Sequence, residues 1–317
     1  MTSATAGRSA IDGVLLLNKP RGLSSQQAVS RTKWLLQARK AGHTGTLDPM
    51  ADGLLPLGFG EATKFTQFLL DADKLYLATL RLGIITTTGD AEGETVVESA
   101  VAVTLSQIES VLKQFQGQQE QIPPMYAAIK VGGKPLYAYA RSGQTIDRKP
   151  RIIIINEIQL IDFKDNYLII RVSCSKGTYI RVLAEDIGKA LGCGAHLTAL
   201  TREGAGPLAL TSALDIKELE AMDLQSRRGK LLPVDTFAAG LPRLDLEAEQ
   251  ARQMLMGQEV QLCGSELFGL FRLYAATEGF VGVGEVSGGR LLARRLLARA
   301  VMAVSRQKNL SNTEVKE

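Results

Sequence analysis

The stretch AGHTGTLDPMADGLLPLGFGEATKF, Ala41 to Phe65, decides how this chain is read. Its Asp48 is the first carboxylate after Asp12, and between the two lie Lys19, Arg21, Arg31, Lys33, Arg39 and Lys40. One acid closing a wholly basic run sits poorly in a surface built only to attract anions. Pro49 steers Asp48 out of the helical region toward extended backbone. Gly42 and Gly45 permit a tight loop with little bulk around it. The carboxylate then projects from an extended segment beside a loop that another molecule can approach closely. A turn or capping aspartate fits the spacing equally well, so the decision passes to the rest of the chain.

Toward the N-terminus, Val14 to Leu17 reads as a short buried strand stopped by Asn18-Lys19-Pro20. SSQQAVSRTKWLLQ offers Ser24 or Ser25 as the N-cap of a helix with Ala28, Val29, Leu35 and Leu36 on its apolar face. Gly42 ends that element and the quoted stretch follows as a loop. Ala62, Phe65, Phe68 and Leu69 then mark a short helix, and LYLATLRLG a strand with Tyr76, Ala78, Leu80 and Leu82 on one side. TTTGDAEGETV is turn chemistry, and Leu105 to Phe115 is helical, with Leu105, Ile108, Leu112 and Phe115 on one stripe. A segment rich in Pro and Gly runs from Gln121 to Lys149. RIIIINEIQLIDF and NYLIIRVSCS are two strands around a turn at Lys164 to Asn166. TYIRVLAEDIGKALG is a strongly amphipathic helix. After Pro233 come the helix EAEQARQMLMG and short strands around LFRLYAA, GFVGVGEVSGG and RLLARRLL, which place a boundary near Gly240. Without a βαβ rhythm the fold class is α+β.

Composition narrows the chemistry. A chain of 317 residues, 45% hydrophobic and 22% charged, suggests about two domains and needs no staples for its core. Three scattered cysteines without CxxC spacing and only two histidines argue against a disulfide framework and a transition-metal centre. No P-loop, GxGxxG, GxSxG or HExxH motif is present. The apolar run near the N-terminus is four residues long, too short for a signal peptide. The expectation is a cytoplasmic protein with a frayed N-terminal tail, no membrane span, no metal and no cofactor.

Arg181 lies in KGTYIRVL, in the first turn of the amphipathic helix. A cation there faces the positive end of the helix dipole, which is easier to understand with a carboxylate opposite. Pairing with Asp48 would keep that acid ionised and aimed, as a nucleophile requires. A solvated arginine bridging Glu185 one turn on fits as well. Tyr76 and Tyr179 are either core filling or rings on which an unstacked base can lie. Between Gln121 and Ile146, Tyr126, Tyr137 and Tyr139 alternate with Lys130, Lys134 and Arg141 without an acid, a pattern suited to RNA. Arg290 to Lys308 carries six basic residues and no acid, a second candidate phosphate-contacting surface.

GHTGTLDPMADGLLPLGFGEATKF, together with LLLNKPRGLSS, DKLYLATLRLG, IPPMYAAIKVGGKPLYAYARSG and SCSKGTYIRVLAEDIG, resembles the TruB family of tRNA pseudouridine-55 synthases over most of the chain. The resemblance implies a pseudouridine-synthase catalytic domain with a mixed, mainly antiparallel sheet at 11–239 and a small β-rich PUA-type RNA-binding domain at 240–308. Residues 1–10 and 309–317 would be tails, and 121–149 a mobile RNA-binding insertion. The resemblance makes Asp48 the nucleophile and Arg181 its partner, with Tyr76 also catalytic. His43, Tyr76, Tyr179 and Leu200 match substrate-contacting positions, and Lys19-Pro20 a structural motif. It implies base flipping of a uridine in the tRNA T-arm, with no obligate protein partner and a monomer. Thr87, where an aspartate is common, and LTREGAG, which lacks a double arginine after Leu200, depart from the family pattern in RNA-contacting detail. Two rivals are a non-catalytic RNA-binding protein or RNA chaperone, and a glycosidase pairing Asp48 with Asp52.

Overall fold

The computed structural model describes residues 8–127, 129–262, 266–298 and 300–302. Its main body is a ten-stranded mixed sheet. Eight strands run across it in the order Leu214–Asp215, Gly13–Lys19, Asp52–Phe59, Ala195–Ala205, Lys74–Leu82, Tyr167–Cys174, Arg151–Lys164 and Gly117–Gln121. Ala41–His43 and Leu208–Ala209 pair onto its sides. Two pairings are parallel, Gly13–Lys19 with Leu214–Asp215 and Asp52–Phe59 with Ala195–Ala205. The remaining ladders are antiparallel, so the α+β expectation holds.

The quoted stretch is a loop only in its first half. Asp52–Phe59 is a central strand, almost wholly buried. Pro56 hides it, because proline within an apolar run normally argues against a central strand. Pro56 O accepts from Thr44 N at 3.2 Å, on the side away from Gly13–Lys19. On that side Ala195–Ala205 pairs only at Asp52 and Gly53, and Ala41–His43 only from Leu57 to Phe59. The missing N–H of Pro56 therefore points into a gap in the ladder and leaves no bond unmade. Gly53 is fixed by the same crossing: with φ +99°, a Cβ there would lie 2.5 Å from Arg202 O. Ala195–Ala205 was also not legible in the sequence, because AHLTALTREGA has no clean two-residue period.

Alternation along Gly13–Lys19 shows why its run is apolar on both sides. Leu15 and Leu17 join the core beneath the helices Ser25–Leu35 and Ile180–Ala190, while Val14 and Leu16 face a second core shared with the C-terminal domain. Helix Ser25–Leu35 opens on a capping box between Ser24 and Gln27. Leu105 lies outside the expected apolar stripe of helix Leu105–Gln114: Ile108 and Leu112 are buried and Leu105 is exposed. Strands Arg151–Lys164 and Tyr167–Cys174 turn through Asp165 and Asn166, both at positive φ, as a two-residue hairpin demands.

The segment from Gln121 to Lys149 has more regular structure than its composition suggested. It contains a hairpin, Lys130–Val131 with Lys134–Pro135, and the helical turn Leu136–Ala140. Ala127 and Leu136 are buried, and Arg148 Nη1 donates to Pro123 O at 3.0 Å.

A five-stranded sheet begins at Arg243, ordered Arg243–Leu246, Gly269–Ala275, Gly279–Ser287, Arg290–Leu296 and Val260–Gln261, with helix Ala248–Leu255 packed on it. Phe280 meets Phe65 of the main body at 5.4 Å between ring centroids. Within the basic run that starts at Arg290, Arg294 is bound by Glu285, and Arg290 lies 3.6 Å from Glu259. The side chain of Arg299, together with Arg306 and Lys308, falls outside the described residues.

Candidate active site

The loop that carries Asp48 is held from below by the start of helix Ser25–Leu35. Ser24 takes the cap, which frees Ser25 for the loop. Ser25 Oγ accepts from Leu47 N at 2.8 Å and donates to Leu47 O at 3.0 Å. On the far side of Asp48, Gly22 N donates to Pro49 O at 2.7 Å. Asp48 is thus clamped one residue away in each direction. The loop then enters the sheet at Asp52, where Asp52–Phe59 meets Ala195–Ala205 in parallel at Thr201, the neighbour of Leu200.

Arg181 reaches Asp48 from the first turn of helix Ile180–Ala190. Its Nη2 lies 3.0 Å from Asp48 Oδ2 and donates to Tyr126 O at 2.7 Å, while Nη1 lies 3.3 Å from Asp90 Oδ2. Among the described residues it pairs with these two carboxylates and not with Glu185. Asp90 escaped the sequence reading, which took TTTGD as plain turn chemistry. The two partners are separated by 91 positions, and no local pattern marks one as the other's. Asp90 is itself fixed, with Oδ1 accepting from Thr88 Oγ1 at 2.5 Å and from Glu92 N at 3.1 Å.

One cation between two carboxylates leaves the trio with a net negative charge. The Asp48 side chain is 38% exposed, but only into a recess. Burial lifts its pKa above the ordinary aspartate value, Arg181 pulls it back down, and Asp90 pushes it up again. Arg181 therefore acts in the direction expected of a partner that favours the ionised acid, while desolvation is the larger influence and works against it.

The recess, a cavity of about 350 Å³, is lined by Asp48, Tyr76, Tyr179, Arg181 and Leu200, with Lys74 and Arg202 behind them. Tyr76 lies on strand Lys74–Leu82, directly across from Arg202. Its hydroxyl pKa is raised by burial, partly offset by the Arg202 guanidinium, so the phenol stays protonated at neutral pH. Tyr179 is seated by Gln121, whose Oε1 accepts from Tyr179 N at 2.8 Å and whose Nε2 donates to Tyr179 O at 3.1 Å. The structure thus brings together five of the six candidate residues.

The sixth, His43, stands apart. It lines a neighbouring groove of about 700 Å³ with Ser24, Thr88, Asp90, Tyr137 and Arg141, and the two spaces meet along a rim of Thr46, Leu47, Asp48, Tyr126, Ala127 and Arg181. His43 Nδ1 is buried without a hydrogen-bond partner. Burial first and Arg202 second lower its pKa, which keeps the ring neutral at physiological pH. Lys19 is fully buried, donating to Pro20 O and Leu23 O at 3.0 and 2.7 Å. Desolvation brings its pKa down to about 8 against the pull of Asp52 and Asp48. Asp52 accepts from Thr201 Oγ1 at 2.6 Å inside the sheet seam and does not line the recess. Among the described residues no group of acidic, histidine and cysteine side chains is arranged to hold a metal.

Family models match three consecutive segments: the N-terminal domain of TruB family pseudouridylate synthase at 33–180, the tRNA pseudouridylate synthase B C-terminal domain at 181–238, and the pseudouridine synthase II TruB C-terminal model at 242–297. The tRNA pseudouridine synthase B of Thiobacillus denitrificans is 50% identical over 291 residues, covering 92% of this chain and 97% of its own. The chain belongs to the TruB pseudouridylate synthase family. The Methylobacillus flagellatus tRNA pseudouridine synthase B is 52% identical at similar coverage, 92% of this chain and 96% of that one. Among solved structures, a chain of a Cbf5-Nop10-Gar1 complex superposes with a TM-score of 0.70 at 25% identity, covering 90% of this chain and 84% of its own. A chain of an H/ACA RNP bound to a substrate RNA shares the fold, with a TM-score of 0.68 at 23% identity and coverage of 90% and 84%. This chain thus has an α+β pseudouridine-synthase body followed by a separate β-rich domain.

Proposed function

We propose that this chain isomerises a uridine of tRNA to pseudouridine, at position 55 in the T-loop, with Asp48 as the nucleophile. The observation that carries the reading is the recess itself: a clamped carboxylate, 3.0 Å from a buried arginine, facing two tyrosines and a leucine. A glycosidic carbon and a flat base fit a site with one aimed anion and aromatic walls.

In the reaction N1–C1′ breaks, the uracil turns, and C5 bonds to C1′. One proton leaves C5 and one is gained at N1, so atoms balance and no electrons are exchanged. The target atoms are unreachable in a folded loop, and the nucleotide is therefore flipped into the recess. Asp48 attacks in its ionised form, which Arg181 aims and favours. Attack at C1′, attack at C6 and assisted glycal formation all begin from that state. Tyr76 stacks on the base and offers a protonated hydroxyl, while Tyr179 and Leu200 wall the pocket. His43, neutral and with an unpartnered Nδ1 in the adjoining groove, fills the space the base vacates. The arm from Gln121 to Lys149 supplies cations and tyrosines to the RNA, and the C-terminal domain serves as a PUA-type RNA-binding module. The protein works in the cytoplasm, as a monomer and without metal or cofactor.

The test is incubation of the full chain with uracil-labelled tRNA, followed by nucleoside analysis. Pseudouridine at one T-loop position is the expected product. Tight tRNA binding with no isomerised base would favour the RNA chaperone, and released base the glycosidase.

A further inference from the structure

Arg202 is the most deeply buried cation in the recess, and the roles assigned above leave it without one. It is 1% exposed, and among the described residues no carboxylate forms an ion pair with it. Nε donates to Leu54 O at 2.7 Å and Nη2 to Gly45 O at 3.3 Å. A buried guanidinium without a counter-charge is expensive, and two carbonyls offset only part of that cost. A neutral amide could satisfy the Leu54 carbonyl, so the tether alone does not account for the charge. Lys74, two residues before Tyr76 on the same face of its strand, repeats the pattern. It is buried, lines the same recess, and donates to Leu70 O and Ala72 O at 2.6 and 2.5 Å. One wall of the recess therefore carries Asp48 and its partners, and the other carries two cations flanking Tyr76.

Heterolysis of N1–C1′ leaves its electron pair on the uracil, spread from N1 to the two carbonyl oxygens. Fixed positive charge in a water-poor site is the means by which such a leaving group is stabilised. We propose that Arg202 is the positioning residue of the leaving-group side: it aims and polarises the Tyr76 hydroxyl as donor to the departing uracil, while its charge, with that of Lys74, offsets the anion. The pair returns to carbon when C5 bonds to C1′, so nothing is oxidised or reduced. This rests on the isomerase reading.

The experiment uses the full chain under single-turnover conditions at saturating T-arm stem-loop, with either uridine or 5-fluorouridine at the target. The fluorinated base is the more acidic leaving group and needs less stabilisation. Arg202→Gln should slow loss of the uridine substrate by about 100-fold and loss of the fluorinated one by about 10-fold or less, with RNA affinity held within about threefold. Where Arg202→Gln does not fold, Arg202→Lys decides. Paired with Tyr76→Phe it should cost less than about threefold, although alone it costs more than about tenfold, because the two act as one unit. Equal defects on both bases, or full additivity with Tyr76→Phe, would reduce Arg202 to a tether and overturn the proposal. A wild-type protein that leaves the uridine unchanged would instead defeat the functional reading beneath it.

Discussion

The seam where Asp52–Phe59, Ala195–Ala205 and Lys74–Leu82 lie side by side differs in kind from the arm between Gln121 and Lys149. The seam is fixed by strand register, packed on one face against the helical core, and at Asp52–Phe59 and the end of Ala195–Ala205 covered on the other by the core shared with the C-terminal domain. The arm is anchored by few buried residues, chiefly Ala127 and Leu136, and otherwise presents exposed Lys130, Lys134 and Arg141 to solvent. The groups proposed for chemistry lie on the first, as Tyr76, Leu200 and Arg202 do, or on the loop and helix end packed beside it, as Asp48, Tyr179 and Arg181 do. Most of those proposed for RNA contact lie on the second. Bond making needs placement within a fraction of an ångström, which packed strands provide. An RNA loop of varying shape is better met by cations on a segment that can adjust.

If the seam depends on both of its covers, removing the chain from Gly240 onward should do more than weaken RNA binding. Phe65, Leu69 and Phe237 would lose partners including Phe280. Each is worth about 1.5–3 kcal/mol of burial, so the truncated chain should melt far below the full one. An unchanged melting temperature would mean that one covered face suffices.

Beside the seam, Arg181→Lys keeps the charge but loses the fork that spans Asp48, Asp90 and Tyr126 O. The single-turnover rate should fall about 100-fold with RNA affinity retained. A near-wild-type rate would show that positive potential alone is enough.

Acidification offers a gentler test of the same trio. Because burial raises the Asp48 pKa above its ordinary value, activity should fail on the acid side at a higher pH than a solvated aspartate would. Below the folded pKa the carboxyl is protonated and inert. Replacing Asp90 by Asn removes a like charge, so the acid limb of the rate profile should move toward lower pH. A limb that stayed put, or moved upward, would separate Asp90 from the ionisation of Asp48.

The smallest effect concerns the arm. Hydrogen exchange between Gln121 and Arg148 should be fast in free protein and slow on a T-arm stem-loop, while the seam is protected in both. The RNA phosphates would neutralise Lys130, Lys134 and Arg141 and offset the entropy of ordering. Strong protection of the arm without RNA, unchanged on binding, would erase the distinction.

The legibility of these regions in sequence followed the same division. Strands with a clean period, such as Lys74–Leu82 and Tyr167–Cys174, and helices with a stripe, such as Ile180–Ala190, were readable because one face is wet. Asp52–Phe59 was not, since it is buried on both faces and carries a proline whose harmlessness depends on a gap made by two distant strands. Asp48, Arg181, Tyr76, Tyr179 and Leu200 could be named as candidates, four of them from motifs or resemblance tied to local pattern and Leu200 from resemblance alone. Asp90 and Arg202 could not, because what distinguishes them is a partner about 90 to 150 positions away or the absence of one.

The central claim, that a carboxylate clamped beside this seam performs the isomerisation, is tested most directly by Asp48→Asn on a T-arm stem-loop, with binding and product measured side by side. The amide keeps the shape and loses the nucleophile. The account predicts RNA affinity close to that of the unmodified protein and no pseudouridine even after prolonged incubation. Turnover by a clean preparation of the variant would contradict it.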